Sequence, residues 1–303
     1  MPFTVRRVGG GTFNPKAMCV SQEGESLLFI GCGTYINIYS IPDLRLKIQI
    51  RSHKAHITAL AWSPECLISA DADGFILFHN FNLISTIDQK PSQTIENKEP
   101  IEKIFVRTVI DPISQERVTK IFFVFYKKSM FWVSEYPEPK IPSLFEVEPS
   151  VQKSICEITE TQTTEKNWIR FNQLDNFDID ETATHVIVGD DCKSVLYDLI
   201  KKKIVNQQNY STPCRICKFR NELDYFVFLQ DGSFRQFGQI KIKDHWHFVC
   251  PNCVCWDRTN IYSGGMEGVL LTFSQATNRH DFMPRLGMTI EGMALTQDSK
   301  YIT

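Results

Sequence analysis

Residues 52–80 read SHKAHITALAWSPECLISADADGFILFHN, and their pattern decides the architecture of the chain. Ile57, Ala59 and Ala61 alternate with Thr58, Leu60 and Trp62, which is the period of a β-strand. Ser63-Pro64 ends that strand, because proline has no N–H to give to a sheet. Leu67-Ile68-Ser69-Ala70 is a second short apolar strand, and Asp73-Gly74 supplies the tight turn into Phe75-Ile76-Leu77-Phe78. One unit therefore holds a histidine, three short strands, a serine in the second, an Asp-Gly turn and a ring closing the third.

The same rhythm recurs along the chain. A first unit, AMCVSQEGESLLFIGCGTYINIYS, has strands at 17–21, 27–31 and 35–39, with turns at Glu23-Gly24 and Gly33. A third is stretched: strands at 101–108, 120–126 and 130–133, a Lys127-Lys128 turn, and polar insertions over 86–99 and 111–117. Residues 136–149, rich in proline and glutamate, read as a surface crossing with one short edge strand over 144–147. A fourth has strands at 185–189 and 194–197 about an Asp190-Asp191 turn. The fifth and sixth turn at Asp231-Gly232 and Glu267-Gly268, and TIEGMALTQDSKYIT opens a seventh. Tyr39, Phe78, Trp132, Tyr197, Phe237 and Phe273 are the equivalent strand ends, about 40 residues apart except around the stretched third unit.

These repeats predict an all-β, seven-bladed WD-repeat β-propeller occupying residues 1–303 as a single domain, the seventh blade incomplete at the C-terminus. Residues 4–7 are the expected closing strand, which would cover the edge that an open array exposes. In a WD repeat, His53, Ser69 and Asp73 hydrogen-bond across the blade with Gly74 in the turn. Phe78 replaces the usual tryptophan and has no N–H to add. Trp256-Asp257 ends a first strand, not a third, so that dipeptide is not the repeat signature.

Composition narrows the function. The net charge is −2 and the pI about 6.4. Proteins whose task is gripping phosphates carry basic domains of pI above about 9, so protein partners are favoured. Residues 1–10, MPFTVRRVGG, carry no signal-peptide core, and no run has the length of a membrane span. The reading is an intracellular protein with no membrane partner and ten reduced cysteines.

No catalytic residue, cofactor or metal is expected, although several clusters invite the question. Cys214-x-x-Cys217 and Cys250-x-x-Cys253, with Cys255 nearby, have the internal spacing of a four-thiolate zinc site, but the pairs lie too far apart in sequence for the common pattern. Small residues on inner strands are the favoured alternative. His245-Trp246-His247 stands where a WD repeat places its histidine, which favours a structural role. Val8-Gly9-Gly10-Gly11 lacks the lysine of a phosphate loop, and no GxSxG elbow occurs. Lys201-Lys202-Lys203 after a third strand, Lys127-Lys128, and Arg45, Lys47, Arg51 and Lys54 in the first inter-blade connection most often mean a solvated face. A rim of such loops could also touch RNA or a partner.

The stretch SGGMEGVLLTF followed by ATNRHDFMPRLGMTIEGMALTQDSKYI resembles the WD-repeat-containing protein 75 family, subunits of the UTP-A subcomplex of the small-subunit processome. The opening VRRVGGGTFNPKAMCVSQEGESLLFIGCGTYINIYS is similar to the start of that family. The most specific piece is FMPRLGMTIEGM, with Pro284, Arg285, Leu286 and Gly287 at its centre. The resemblance implies a non-enzymatic nucleolar scaffold. Its partners would be other UTP-A subunits and processome proteins, with pre-ribosomal RNA touched mostly indirectly. It would support pre-ribosomal RNA transcription and maturation of 18S rRNA. The alternative is a WD-repeat adaptor of the ubiquitin or chromatin pathways, reading a peptide at the propeller channel.

Overall fold

The computed structural model describes residues 17–21, 26–41, 43–63, 66–80, 91–96, 100–110, 115–127, 130–136, 154–157, 176–198, 200–201, 203–221, 223–285, 287–296, 298–299 and 302. They form six four-stranded antiparallel sheets. The first holds β1 (Met18–Val20), β2 (Leu27–Cys32), β3 (Tyr35–Ser40) and β4 (Leu46–Arg51). The second holds β5 (Ile57–Trp62), β6 (Cys66–Asp71), β7 (Phe75–Asn80) and β8 (Gln93–Glu96). β9 (Ile101–Ile110), β10 (Arg117–Lys127), β11 (Met130–Tyr136) and β12 (Ser154–Glu157) make the third. The fourth comprises β13 (Phe177–Ile179), β14 (His185–Asp190), β15 (Lys193–Asp198) and β16 (Lys203–Asn209). The fifth comprises β17 (Cys214–Phe219), β18 (Tyr225–Leu229), β19 (Ser233–Phe237) and β20 (Ile242–His245). The sixth ends the series with β21 (Cys253–Trp256), β22 (Asn260–Gly264), β23 (Leu271–Ser274) and β24 (Arg279–Phe282).

Within each sheet the strands follow one another in chain order, so every sheet is a meander. Short hairpin turns make this possible: Gly74 and Gly232 adopt φ of 87° and 80°, a region that a side chain resists. A Cβ at Gly232 would stand 1.8 Å from the His247 carbonyl oxygen, so the turn tolerates no other residue in this packing.

Burial joins consecutive sheets. The chain divides into two compact units, Met1–Ile104 with Gly292–Thr303, and Phe105–Glu291. In the first, Phe29, Ile36 and Ile38 of the first sheet share a core with Ile57, Leu60 and Leu67 of the second. Ala294 packs against Val20, Leu28 and Tyr39 of the first sheet. In the second unit, Phe105 and Phe122 meet Phe177, Val186 and Val188, while Ile187 and Leu196 meet Cys217 and Val227. Phe226, Phe228 and Phe234 meet Ile261, Leu271 and Phe273. Arg107 also ties sheets together, donating to the Ile179 carbonyl at 2.7 Å and to Asp178 Oδ1 at 3.3 Å. The second Asp178 oxygen accepts the Phe219 N–H at 2.9 Å.

Seven blades are not what the chain forms. The described residues make six sheets, and beyond β24 only the isolated bridge Leu295↔Ile302 pairs. One bridge fixes a single residue pair, which does not constitute a blade. Each sheet instead gains a fourth, outer strand that the sequence reading left as connection or insertion. Lys47 and Arg51 lie in β4, Gln93–Glu96 is β8 within the supposed 86–99 insertion, and Lys203 begins β16. No apolar alternation marks β16, which is exposed at five of seven positions; β4 does alternate, with Ile48 and Ile50 packed on the first core, but its interleaved Lys47 and Arg51 read as a solvated connection. The expected strands at 4–7 and 144–147, and the Gly9–Gly11 run, lie outside the described residues. No helix among the described residues is long and apolar enough to cross a membrane.

Candidate functional site

A buried polar arrangement crosses the second sheet. His53 Nδ1 lies 2.8 Å from Asp71 Oδ2, and its Nε2 lies 2.7 Å from Ser69 Oγ. Ser69 Oγ is also 3.2 Å from His79 Nε2. All four residues are 5% exposed or less. The proton positions follow from donor and acceptor inventory. Asp71 accepts from His53 Nδ1–H, so Nε2 accepts the Ser69 hydroxyl, and Ser69 Oγ in turn accepts His79 Nε2–H. His79 Nδ1 is then left bare, and it has no hydrogen-bond partner.

The carboxylate in this chain of bonds is Asp71, not Asp73. Asp71 Oδ1 instead accepts the backbone N–H groups of Asp73 at 3.1 Å and Phe75 at 2.9 Å, which shapes the Gly74 turn. The ring is His79, not Phe78. Successive strand residues face opposite sides, so Phe78 points away from Ser69.

The sixth sheet repeats the arrangement closer to the expected form. His247 Nε2 lies 2.8 Å from Ser263 Oγ, and its Nδ1 is 3.4 Å from Glu267 Oε2. His53 precedes Ser69, and His247 precedes Ser263, by the same 16 residues. The carboxylates differ: Asp71 follows its histidine by 18 residues and Glu267 by 20. Phe273, opposite Ile261, takes the place of His79, opposite Leu67.

Asp71, His53 and Ser69 stand in the order of a nucleophilic triad. Ser69 is 0% exposed and its oxygen is held between two imidazoles, so no substrate carbonyl can reach it. The arrangement cross-braces a sheet.

It also carries a pH dependence. Burial, and then the neighbouring His53, push His79 down to about 4. Burial lowers His53 too, against the opposing pull of Asp71. A histidine depressed in the fold binds fewer protons than in the unfolded chain, so its stabilisation is present above pH 6.5 and lost as pH falls towards 4. For His79 the loss is on the order of 3 kcal/mol. Urea unfolding at pH 7 and pH 4.5 should show a steep fall in midpoint. His79→Phe, which copies the sixth sheet, should flatten that fall; an unchanged slope would contradict the assignment.

The two cysteine pairs do not converge. Cys214 and Cys217 are buried with their sulfurs 3.2 Å apart, in contact with each other beneath Gly189, where a Cβ would lie 2.5 Å from Cys214 Sγ. A bulge between Cys214 and Ile216 brings both to one face, which regular strand alternation would forbid. Burial and the neighbouring thiol raise Cys217 well above the usual thiol range, the opposite of a metal-ready or redox-active thiolate. Cys253 belongs to the sixth sheet, where its Sγ donates to the carbonyl of its cross-strand partner Gly264 at 3.4 Å. Among the described residues no three His, Cys, Asp or Glu side chains form a metal-holding group.

The surface candidates fall elsewhere. Lys201 is exposed and pairs with Asp198 at 3.2 Å, Lys203 opens β16, and Lys202 lies outside the described residues. Pro284, Arg285 and Gly287 are exposed on the segment after β24, Gly287 at φ 82°; Leu286 lies outside the described residues. Asp71 and His79 were the residues the sequence reading missed. Both carry the right chemistry within two residues of the positions expected, and only strand register separates the choices.

Meandering four-stranded sheets whose neighbours share a core define a β-propeller. The backbone is similar to the β-propeller domain of Myceliophteria thermophila Cps50 (Swd1), with a TM-score of 0.62, 11% identity and coverage of 96% of this chain and 91% of that one. The Dos1 propeller follows with a TM-score of 0.59 and 10% identity, over 91% of this chain and 72% of that one. At such identities these likenesses establish the fold alone. In sequence, the chain is 40% identical over 328 aligned positions to U3 small nucleolar RNA-associated protein 17 of Schizosaccharomyces pombe (strain 972 / ATCC 24843), a match that covers 98% of this chain. The chain spans 37% of that relative's length. No family model matches the chain.

Proposed function

We propose that this chain is the propeller of a non-enzymatic assembly factor in ribosome biogenesis, acting with U3-containing particles of the small-subunit processome in the nucleolus. The observation that carries this reading is the 40% identity, over 98% of the chain, to a protein named for its association with U3 small nucleolar RNA. The site chemistry agrees: the serines of both serine–histidine–carboxylate arrays, Ser69 and Ser263, are 0% exposed within their sheets, and the net charge of −2 favours protein contacts over direct phosphate binding. The finer reading is membership of the UTP-A subcomplex, with support of pre-ribosomal RNA transcription and 18S rRNA maturation, as the resemblance to the WD-repeat-containing protein 75 family implies. Contacts would fall on Pro284–Gly287 and on Lys201–Lys203. Depleting the protein and pulse-labelling ribosomal RNA tests the reading. Loss of new 18S rRNA with large-subunit RNA spared is expected; equal loss of both, or no loss, would contradict it.

A further inference from the structure

β4 closes the first sheet, and its far edge pairs with no other strand among the described residues. Such an edge is a row of N–H and C=O groups at strand spacing, complementary to another extended polypeptide. Over Ile48–Arg51 the pairing with β3 is regular, and the one bulge, at Lys47, lies before it. The exposed side chains of this stretch lean back over the sheet. Gln49 donates from Nε2 to Asn37 Oδ1 at 2.8 Å, and the Arg51 guanidinium lies over the Tyr35 ring at 5.4 Å. Both partners belong to β3, so neither side chain is drawn across the free edge.

Two chemistries alternate along β4. Ile48 and Ile50 turn to the core shared with the second sheet, while Gln49 and Arg51 stand exposed on the other face. The charge is one-sided. From Ala17 to Ile41 no described residue is charged, and from Asp43 to Lys54 the exposed charges are Arg45, Lys47, Arg51 and Lys54 against Asp43 alone. The whole chain carries −2, so this sheet departs from it in sign. Cations on an edge keep most strands away, but a strand that brings carboxylates turns the same groups into attraction.

We infer that β4 receives an extended segment of a partner protein as a fifth strand of the first sheet. That segment carries Asp or Glu at alternate positions, beside Gln49 and Arg51, with apolar residues between them that extend the core past Ile48 and Ile50. A second copy of this chain would set one cationic edge against another. RNA would meet the cations but has no ladder of N–H and C=O groups at strand spacing. This docking edge goes beyond the proposed role and does not depend on it.

The test uses the full-length protein in cells, with a photo-reactive phenylalanine replacing Leu46, which is 54% exposed at the head of β4, and the cross-linked peptides mapped by mass spectrometry. Cross-links to one segment of another protein, its carboxylates alternating with apolar residues, are expected. Cross-links to RNA, to a second copy of this chain, to segments without that alternation, or to nothing would overturn the inference. Lys47→Glu/Arg51→Glu should lower recovery of the cross-linked partner by about tenfold or more. Changing two carboxylates of the partner segment to lysine should restore recovery with this variant; unchanged recovery before that change, or no rescue after it, defeats the docking edge. The unfolding midpoint should stay near that of wild type, because both side chains are exposed. Lys47→Gln/Arg51→Gln perturbs the fold less and should still lower recovery severalfold; recovery equal to wild type counts against the edge in the same way.

Discussion

Replacing Asp71 with alanine is expected to lower the unfolding free energy by about 3–5 kcal/mol. The reason is that one carboxylate serves three donors at once: His53 Nδ1 at 2.8 Å, the Phe75 N–H at 2.9 Å and the Asp73 N–H at 3.1 Å. With the carboxylate gone, His53 Nδ1–H is left in a site 5% exposed, where water cannot replace the lost acceptor. Asp71→Asn should be milder, roughly half the loss, because its carbonyl oxygen still accepts the two backbone N–H groups. His53 would then exchange tautomers, and the exchange would pass through Ser69 to His79. Urea unfolding of the three proteins at pH 7 decides the matter. A loss within about 1 kcal/mol for the alanine variant would mean that Asp71 does not hold the sheet.

Phe234→Ala should cost a comparable amount, about 3–5 kcal/mol, through packing instead of polarity. Phe234 is 0% exposed and lies between the fifth and sixth sheets. Its ring stacks on Trp246 at 3.7 Å and 12°, and meets Phe226, Phe228 and Phe273 at 5.7, 5.1 and 6.4 Å. Removing it opens a cavity that four rings held at fixed angles cannot collapse to fill. Phe237, half-buried and stacked on Tyr225 at 5.0 Å, is the control: its alanine variant should lose about 1 kcal/mol. Denaturation monitored by tryptophan fluorescence compares the two directly. Equal losses would show that burial at the sheet-to-sheet core does not govern stability.

Sequence pattern revealed the inner strands because each buries at least one face, and apolar alternation is the trace that burial leaves. Thus Ile57–Trp62, Leu67–Ala70 and Phe75–Phe78 were legible within a residue or two of β5, β6 and β7. The outer strands leave a weaker trace. Lys203–Asn209 is mostly exposed and amide-rich, so it reads like a loop, while Leu46–Arg51 alternates but its charged residues masked the apolar face that Ile48 and Ile50 turn to the core. The count of seven failed for a related reason: the mixed stretch TIEGMALTQDSKYIT reads as the opening of a blade, whereas a blade needs partners, and among the described residues Leu295 pairs with Ile302 alone.

The polar array was legible in kind and misplaced in register. His53 and Ser69 stood where the repeat plan puts them, but two carboxylates two residues apart compete for the imidazole. The bulge between Ile57 and Ala59 and the closing turn select Asp71, and neither is visible in composition. The same holds for Cys214 and Cys217, whose spacing puts them on opposite faces until a bulge intervenes. Strand register is a property of pairing, so a single strand read alone does not contain it.

A propeller that acts in ribosome biogenesis, as proposed, travels with U3-containing particles. Immunopurifying the full-length protein from growing cells and quantifying U3 RNA against an unrelated abundant small RNA tests it most directly. Strong enrichment of U3, lost when the particles are dissociated, is the predicted result. Recovery of U3 no better than the unrelated RNA would contradict it.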